Sequence, residues 1–155
     1  MIPFRGPAWR ILSAKHAQNA LKPAHHPEGR FHYDAQLALY ASLSADGAGV
    51  ALRRYVRAND PPRVIVPLTI DLERVMDARG DARHSVVWQD ARAQGLPAPT
   101  WEISDAARRL GAQALLYSSR SRPDLSHLVM FDVTPHTVTQ TGPAQDWHPQ
   151  YNIQP

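Results

Sequence analysis

The stretch that decides the fold is "PPRVIVPLTI", residues 61–70, a run of β-branched and apolar side chains that opens with two prolines. Val, Ile and Thr favour an extended backbone, and a short continuous apolar run bounded by proline is typical of a buried strand. These ten residues therefore predict a strand inside a sheet. The segments on either side of them determine the class of fold.

Downstream of residue 70, the sequence predicts helices first and strands afterwards. Two of the helices end at glycines, Gly95 and Gly111, which favour the left-handed backbone that closes a helix. The predicted helices are 71–77, 84–95 and 100–111, and the predicted strands are 112–119, 127–133 and an edge strand within 136–141.

Upstream of residue 61, the predicted elements are short and irregular in order. They are strands at 7–13 and 37–42, a short helix at 13–21, a loop at 22–29, an extended stretch at 30–33, and a helix at 44–60. This order lacks the strand–helix alternation of a doubly wound sheet, and no Gly-rich phosphate loop is present. We therefore expect an α+β fold with mixed, mostly antiparallel, short-stranded sheets and flanking short helices.

The length and composition suit one small domain. The chain has 155 residues and no cysteine, which excludes a disulfide framework. No apolar run is long enough for a signal peptide or a membrane span, so we expect a cytoplasmic protein without membrane contact. We assign residues 1–142 to the domain and the proline-containing residues 143–155 to a C-terminal tail.

The positive charge is carried almost entirely by arginine. The net charge is +3, and the only lysines are Lys15 and Lys22. Arginine pairs bidentately with phosphate and carboxylate groups, but acidic residues are interspersed and no dense basic tract exists. A phosphate-bearing ligand or an acidic protein partner therefore fits as well as nucleic acid does.

Polar side chains recur at the ends of the predicted strands. Two arginines, a tyrosine and a serine on neighbouring strands could clamp a diphosphate and a base, although each residue alone is typical of a surface or a turn. These polar residues are Arg10, Arg30, His32, Tyr40, Ser118, Ser119 and Arg120.

The order of these motifs resembles the RES domain, the toxin half of bacterial RES–Xre toxin–antitoxin pairs. The resemblance spans roughly residues 7–142. It rests on Trp9-Arg10, "GRFH" (29–32), "LYAS" (39–42), "DGAGVALRRY" (46–55), "PRVIVPLTI" (62–70), "VVWQDAR" (86–92), "SDAARRLGAQALLYSSRSRP" (104–123) and "HLVMFD" (127–132).

The resemblance implies an ADP-ribosyltransferase-like fold that acts on NAD. Members of that family either cleave NAD or transfer ADP-ribose to a protein. Carried onto this sequence, Arg10 and Arg30 would hold the phosphates and Tyr40 would border the nicotinamide. Ser119, with Ser118 as the competing choice, would take the family's serine position. His127 opens a strand next to the serine loop and is expected to line the pocket.

One position departs from the family pattern. Eleven residues after Tyr40, where the family usually has Glu, this chain has Ala51. Three explanations stay open: this branch uses another group, the Glu was replaced, or the register differs by a few residues. His32, expected at the pocket mouth beside Arg30, is a candidate base or hydrogen-bond donor for an acceptor side chain.

The function predicted from the sequence is that of a toxin that binds NAD and transfers ADP-ribose to a cellular protein. We expect an Xre-like antitoxin partner, contact with nucleic acid only through that antitoxin, and no metal, since the eight histidines show no ligand spacing. An NAD glycohydrolase or phosphorylase is the alternative. An RNA-targeting toxin and a non-enzymatic interaction module are lower alternatives.

Overall fold

A computed structural model describes residues 1–149 and shows a mixed α+β domain. The strands are β1 (Ile2–Ser13), β2 (Leu39–Ser42), β3 (Arg63–Asp77), β4 (Ala114–Ser118), β5 (Ser126–Met130), β6 (Val138–Gln140) and β7 (Gln145–Trp147). The α-helices are α1 (Ala45–Leu52), α2 (Trp88–Ala93) and α3 (Trp101–Arg109), and 3₁₀ turns span Ala14–Asn19 and Ala82–Ser85.

The strand pairings form a closed circuit. The path runs β1-β2-β5-β4-β3, and β3 pairs again with β1. Within the described residues every pairing is antiparallel except that of β3 with β4. The short strands β6 and β7 also pair with β3. The sheet is therefore mostly antiparallel, as expected, but β1 and β3 are far longer than the short strands that the sequence predicts.

Strand β3 continues through the segment predicted to be a helix. The strand predicted at 61–70 is present, but the helix predicted at 71–77 is wrong because β3 runs to Asp77. Leu72 pairs with Phe4 and Val75 with Ile2, and both β3 residues are fully buried. Burial of a large aliphatic side chain is worth about 1.5–3 kcal/mol, which outweighs the weak helix preference of a short charged segment.

Three other predicted elements are shorter than expected or differently built. The helix predicted at 44–60 ends at Leu52, because the Arg-rich residues that follow bury no side chain. The helix predicted at 84–95 is a 3₁₀ turn followed by the short helix α2. Part of the predicted tail is β7, which pairs with Arg63–Ile65 of β3, so the sheet extends past residue 142.

Two apolar clusters hold the elements together. The larger lies between β1, β2 and β3 and includes Leu68 and Ile70. The smaller packs α3 against β4 and β5, through Ile103, Ala107 and Leu115. Within residues 1–149, no helix has the length and apolar composition needed to cross a membrane.

Candidate active site

A cavity of about 640 Å³ opens beside β1 and β2, and its volume lies in the range of pockets that bind small molecules. Three predicted site residues, Arg10, Tyr40 and His127, line it. Arg30, His32 and Ser119 are not among the lining residues. The structure therefore gathers only part of the predicted site around this cavity.

The charged lining of the cavity is positive. It contains the cations Arg10, Lys22 and Arg63, together with four histidines, His16, His25, His26 and His127. No Asp or Glu from the described part of the chain lines it. Lining of this kind favours an anionic ligand and can pair with phosphate oxygens.

Arg10 is a largely buried arginine without a carboxylate partner among residues 1–149. Its Nη1 donates to the carbonyls of Ala20, at 2.8 Å, and Lys22, at 2.6 Å. Burial lowers the pKa of Arg10 to about 10, so the side chain remains a cation at neutral pH. Arg10 thus holds the loop at the cavity wall and brings an unpaired positive charge to the cavity.

The "GRFH" segment is held in place by side chains of the α3 region. Trp101 Nε1 donates to the carbonyl of Gly29 at 2.8 Å, and Arg108 Nη1 donates to that of Phe31 at 2.9 Å. The hydroxyl of Thr100 donates to the carbonyl of Arg30. Because the segment is not in the sheet, these donors satisfy backbone carbonyls that a strand partner would otherwise bind.

Arg30 is positioned behind the cavity. Its Nη1 donates to the carbonyl of His84 at 2.6 Å, and the side chain is half-buried. Burial has the largest effect on both neighbours, since it lowers the pKa of His127 to about 4 and raises the pKa of Tyr117 to about 12; the positive charge of Arg30 comes second and lowers both values. Arg30 therefore acts electrostatically on the residues of the cavity wall.

His32 differs most from its expected place. The sequence predicts it at the pocket mouth, but its side chain is only 2% exposed and both ring nitrogens are engaged. Nε2 donates to the carbonyl of His26 at 2.8 Å, so Nδ1 accepts from the hydroxyl of Tyr40 at 2.7 Å. Burial lowers the pKa of His32, which keeps the ring neutral. In this arrangement His32 supports Tyr40 and does not face the cavity.

A second serine lies in the cavity wall, next to His127. The Oγ of Ser42 is 2.7 Å from Nδ1 of His127, and the two residues are directly opposed on β2 and β5. Ser42 is 3% exposed and His127 5%, and both line the cavity. Burial, followed by the charge of Arg30, lowers the pKa of His127 to about 4. At neutral pH the pair is therefore a serine beside an uncharged imidazole.

The hydroxyls of the two serines predicted from the family pattern bind backbone N–H groups in the turn after β3 and in the loop after β4. Ser119 is buried, and its Oγ accepts from the backbone N–H of Arg122 at 3.3 Å. Ser118 Oγ accepts from the N–H of Gly80 at 3.0 Å. Both hydroxyls thus cap turns near the site and are not among the groups that line the cavity.

The position of the absent Glu does face the cavity. Ala51 lies in the last turn of α1, and it lines the cavity together with Ala48 and Leu52 of the same helix. Asp46, the nearest upstream acid, is exposed at the start of α1 and is not a lining residue. No metal-binding cluster of acidic or histidine side chains exists within residues 1–149.

Several lining residues are not among those predicted from the sequence. Ser42 lies in the quoted "LYAS" motif, and its pairing with His127 requires the β2–β5 register, which no local pattern shows. Trp9 lines the cavity next to Arg10 and offers a flat aromatic surface. Side chains alternate between the two faces of a strand, so the sequence could have indicated which residues of one strand share the cavity wall. It could not indicate which strands pair to close the circuit.

Comparisons with known proteins give a family match and a similar fold. A model described as the RES domain matches residues 7–152. Among solved structures, a chain of the M. tuberculosis MbcT-MbcA toxin–antitoxin complex is similar, with 19% sequence identity and a TM-score of 0.65. That alignment covers 96% of this chain and 87% of the other. No curated protein matches this chain.

Proposed function

Because this chain belongs to the RES domain family, we propose that it is the toxin of a toxin–antitoxin pair, and that it binds NAD and transfers ADP-ribose to a cellular protein. The observation that carries the proposal is the cavity of about 640 Å³, lined by cations and aromatic rings and by no described carboxylate. A dinucleotide offers the matching chemistry, namely a diphosphate flanked by flat bases.

Different residues of the cavity are proposed to bind different parts of the dinucleotide. Arg10 supplies a largely buried cation for the diphosphate, and Lys22 adds positive charge along the same wall, whereas Arg63 is paired with Asp60 at 3.0 Å. The rings of Trp9 and Tyr40 offer surfaces for stacking. Because the Tyr40 hydroxyl is already bonded to His32 and to the N–H of Phe31, its ring orientation is fixed before a ligand arrives.

Cleavage of the nicotinamide–ribose bond builds positive charge on the ribose, as in glycoside cleavage. A nearby carboxylate stabilises that charge in many such sites, and here Ala51 occupies the corresponding wall. Departure of nicotinamide as a neutral leaving group then depends on binding, on orientation and on exclusion of water. Without that carboxylate, water is poorly activated for attack on the ribose. Transfer of ADP-ribose to an acceptor is therefore proposed ahead of hydrolysis of NAD.

A cognate antitoxin is part of the proposal. A cavity that holds an anionic ligand in a positively charged lining is best silenced by covering its entrance, and an acidic segment of an Xre-like antitoxin fits such a surface. The solved complex that resembles this chain is itself a toxin–antitoxin complex, which supports the same kind of partner here. The protein is proposed to act in the cytoplasm, where NAD and its acceptor are found.

The test is to incubate the purified protein with NAD labelled on the adenylate, with and without cell lysate, and to follow nicotinamide release and protein labelling. Label on a discrete lysate protein supports transfer. NAD loss without protein label means hydrolysis or phosphorolysis instead. NAD left intact while RNA is degraded contradicts the proposal.

Paired variants make that test specific to the cavity. Arg10→Ala removes the buried cation and should reduce binding of ADP-ribose about tenfold or more, since charge-assisted hydrogen bonds are worth about 1.5–3 kcal/mol. Arg109→Ala removes an exposed arginine at the end of α3, away from the cavity, and should leave binding unchanged. Equal losses in the two variants would mean that the effect comes from net charge alone.

A further inference from the structure

The Ser42–His127 pair has the geometry of a hydroxyl activated by a base. Its separation of 2.7 Å lies within the range expected for a nucleophile and its base. Among the hydrogen bonds described within residues 1–149, the Ser42 hydroxyl has Nδ1 of His127 as its partner. In the tautomer that carries its proton on Nε2, the hydroxyl donates to Nδ1, which is the arrangement that a base requires.

The other nitrogen of His127 opens on the cavity. Nε2 makes no hydrogen bond within the described chain, yet it is not among the buried polar atoms that lack a partner. Since His127 lines the cavity, Nε2 must reach the cavity space. A proton can thus enter the ring at Nδ1 and leave from Nε2 into the cavity.

The backbone sets this arrangement before any ligand binds. Ser42 is the Cα partner of His127 on β5 and of Trp9 on β1. His127 is in turn paired with Tyr117 of β4. Both residues therefore lie in paired strands, which fix their backbone positions relative to each other.

We propose that Ser42 is a modification site of this protein: its hydroxyl, with His127 as base, accepts the ADP-ribosyl group of an NAD bound in the cavity. Ser42 Oγ forms a bond to C1′ of the nicotinamide ribose, and the bond from C1′ to the pyridinium nitrogen breaks. The bonding electrons leave with nicotinamide, which departs neutral. The hydroxyl proton passes to Nδ1 of His127, and the Nε2 proton is released to water in the cavity.

The consequence is a self-limiting enzyme. An ADP-ribosyl group on Ser42 occupies the cavity that binds the next NAD, because Ser42 lies in the cavity wall. Without another acceptor, nicotinamide release should stop after about one turnover per protein, as for an enzyme trapped in its covalent form. This inference rests on the proposed action on NAD and adds the acceptor within the chain.

The experiment is intact-mass and peptide mass spectrometry of the purified protein after incubation with NAD, with nicotinamide measured in the same samples. We expect one ADP-ribose per chain, located on Ser42. Ser42→Ala should lose it, whereas Ser121→Ala, which removes an exposed loop serine, should keep it. His127→Phe should slow formation of the adduct by up to about 100-fold, the lower end of general-base catalysis, because a base with a pKa of about 4 is weak at neutral pH.

The two measurements separate this inference from the proposed function. Release of nicotinamide with no adduct, or with an adduct at other residues only, overturns the role of Ser42 and leaves the action on NAD standing. Absence of nicotinamide release, even with lysate present, overturns both. Mapping on the wild-type protein gives the answer even if a variant at Ser42 or His127 fails to fold.

Discussion

The hydroxyl of Tyr40 lies 2.7 Å from Nδ1 of His32 and accepts a hydrogen bond from the backbone N–H of Phe31 at 2.9 Å. This one oxygen ties β2 to the segment that carries Arg30. Burial raises the pKa of Tyr40, so the hydroxyl stays protonated and keeps donating to the imidazole. A residue expected only to border a ligand therefore also joins two parts of the site.

Tyr40→Phe should destabilise the protein by about 1–3 kcal/mol, because it leaves the N–H of Phe31 and Nδ1 of His32 without a partner in a buried place. Urea denaturation measures the loss. Tyr55→Phe is the control, since Tyr55 is exposed and its hydroxyl bonds only the side chain of Gln89. An equal, small effect in both variants would contradict the linking role of Tyr40.

His84 should be replaceable without loss of stability. Its ring is 1% exposed and packs near the rings of Phe31 and Tyr117, and neither ring nitrogen has a hydrogen-bond partner among residues 1–149. His84→Phe removes two unsatisfied polar atoms and should be neutral or stabilise by about 1 kcal/mol. The bond from Arg30 is made to the carbonyl of residue 84 and survives the substitution. A loss above about 2 kcal/mol would show that the ring nitrogens are satisfied in solution.

Stability should fall as the pH drops below about 6.5, the ordinary histidine value. Burial lowers the pKa of three histidines, His32, His84 and His127. Above that pH both the folded and unfolded states hold these rings neutral. Below it the unfolded chain takes up protons that the folded protein does not, so the free energy of unfolding decreases.

For His127 the loss should continue to about pH 4, the pKa of the folded state. Over that interval it amounts to roughly 3 kcal/mol. Urea midpoints of the wild type and of His127→Gln, measured at pH 7.5 and at pH 5, check this. The variant should show a smaller decrease, while His136→Gln, at an exposed position, should match the wild type. An identical decrease in urea midpoint between pH 7.5 and pH 5 in all three proteins would contradict the burial of a neutral His127.

A carboxylate restored at position 51 should speed the chemistry. Ala51→Glu places an acid in the cavity wall, where it can stabilise positive charge on the ribose, and we expect nicotinamide release to rise about 10- to 100-fold. Ala45→Glu adds the same charge at an exposed position of α1 that does not line the cavity, and should change little. No gain at position 51 would mean that the bound ribose lies away from α1.

The predictions from sequence succeeded where local pattern and burial agree. The run at 61–70 alternates buried and less buried side chains in β3 and reads as a strand without further information. Residues 71–77 carry charges that read as a helix, but pairing with β1 across a large sequence separation keeps them extended. Such long-range pairing leaves no local signature.

The predictions for the site likewise differ between residues on strands and residues whose surroundings depend on loops or on distant strands. Arg10, Tyr40 and His127 line a common cavity, and their roles there stay predictions. His32 was misplaced because its environment depends on hydrogen bonds to Tyr40 and to the carbonyl of His26, set by a non-repetitive loop. Ser42 was overlooked because its partner lies 85 residues away.

The central claim is that this cavity binds and cleaves NAD, and a cavity-filling variant tests it most directly. Ala51 faces the cavity from an exposed helix, so Ala51→Trp should fill that space without disturbing either apolar cluster. The measurement is nicotinamide release from NAD by the wild type and by this variant, both shown to be folded by circular dichroism. We expect release by the wild type and none by Ala51→Trp. Equal release by the two proteins, or none by either, would contradict it.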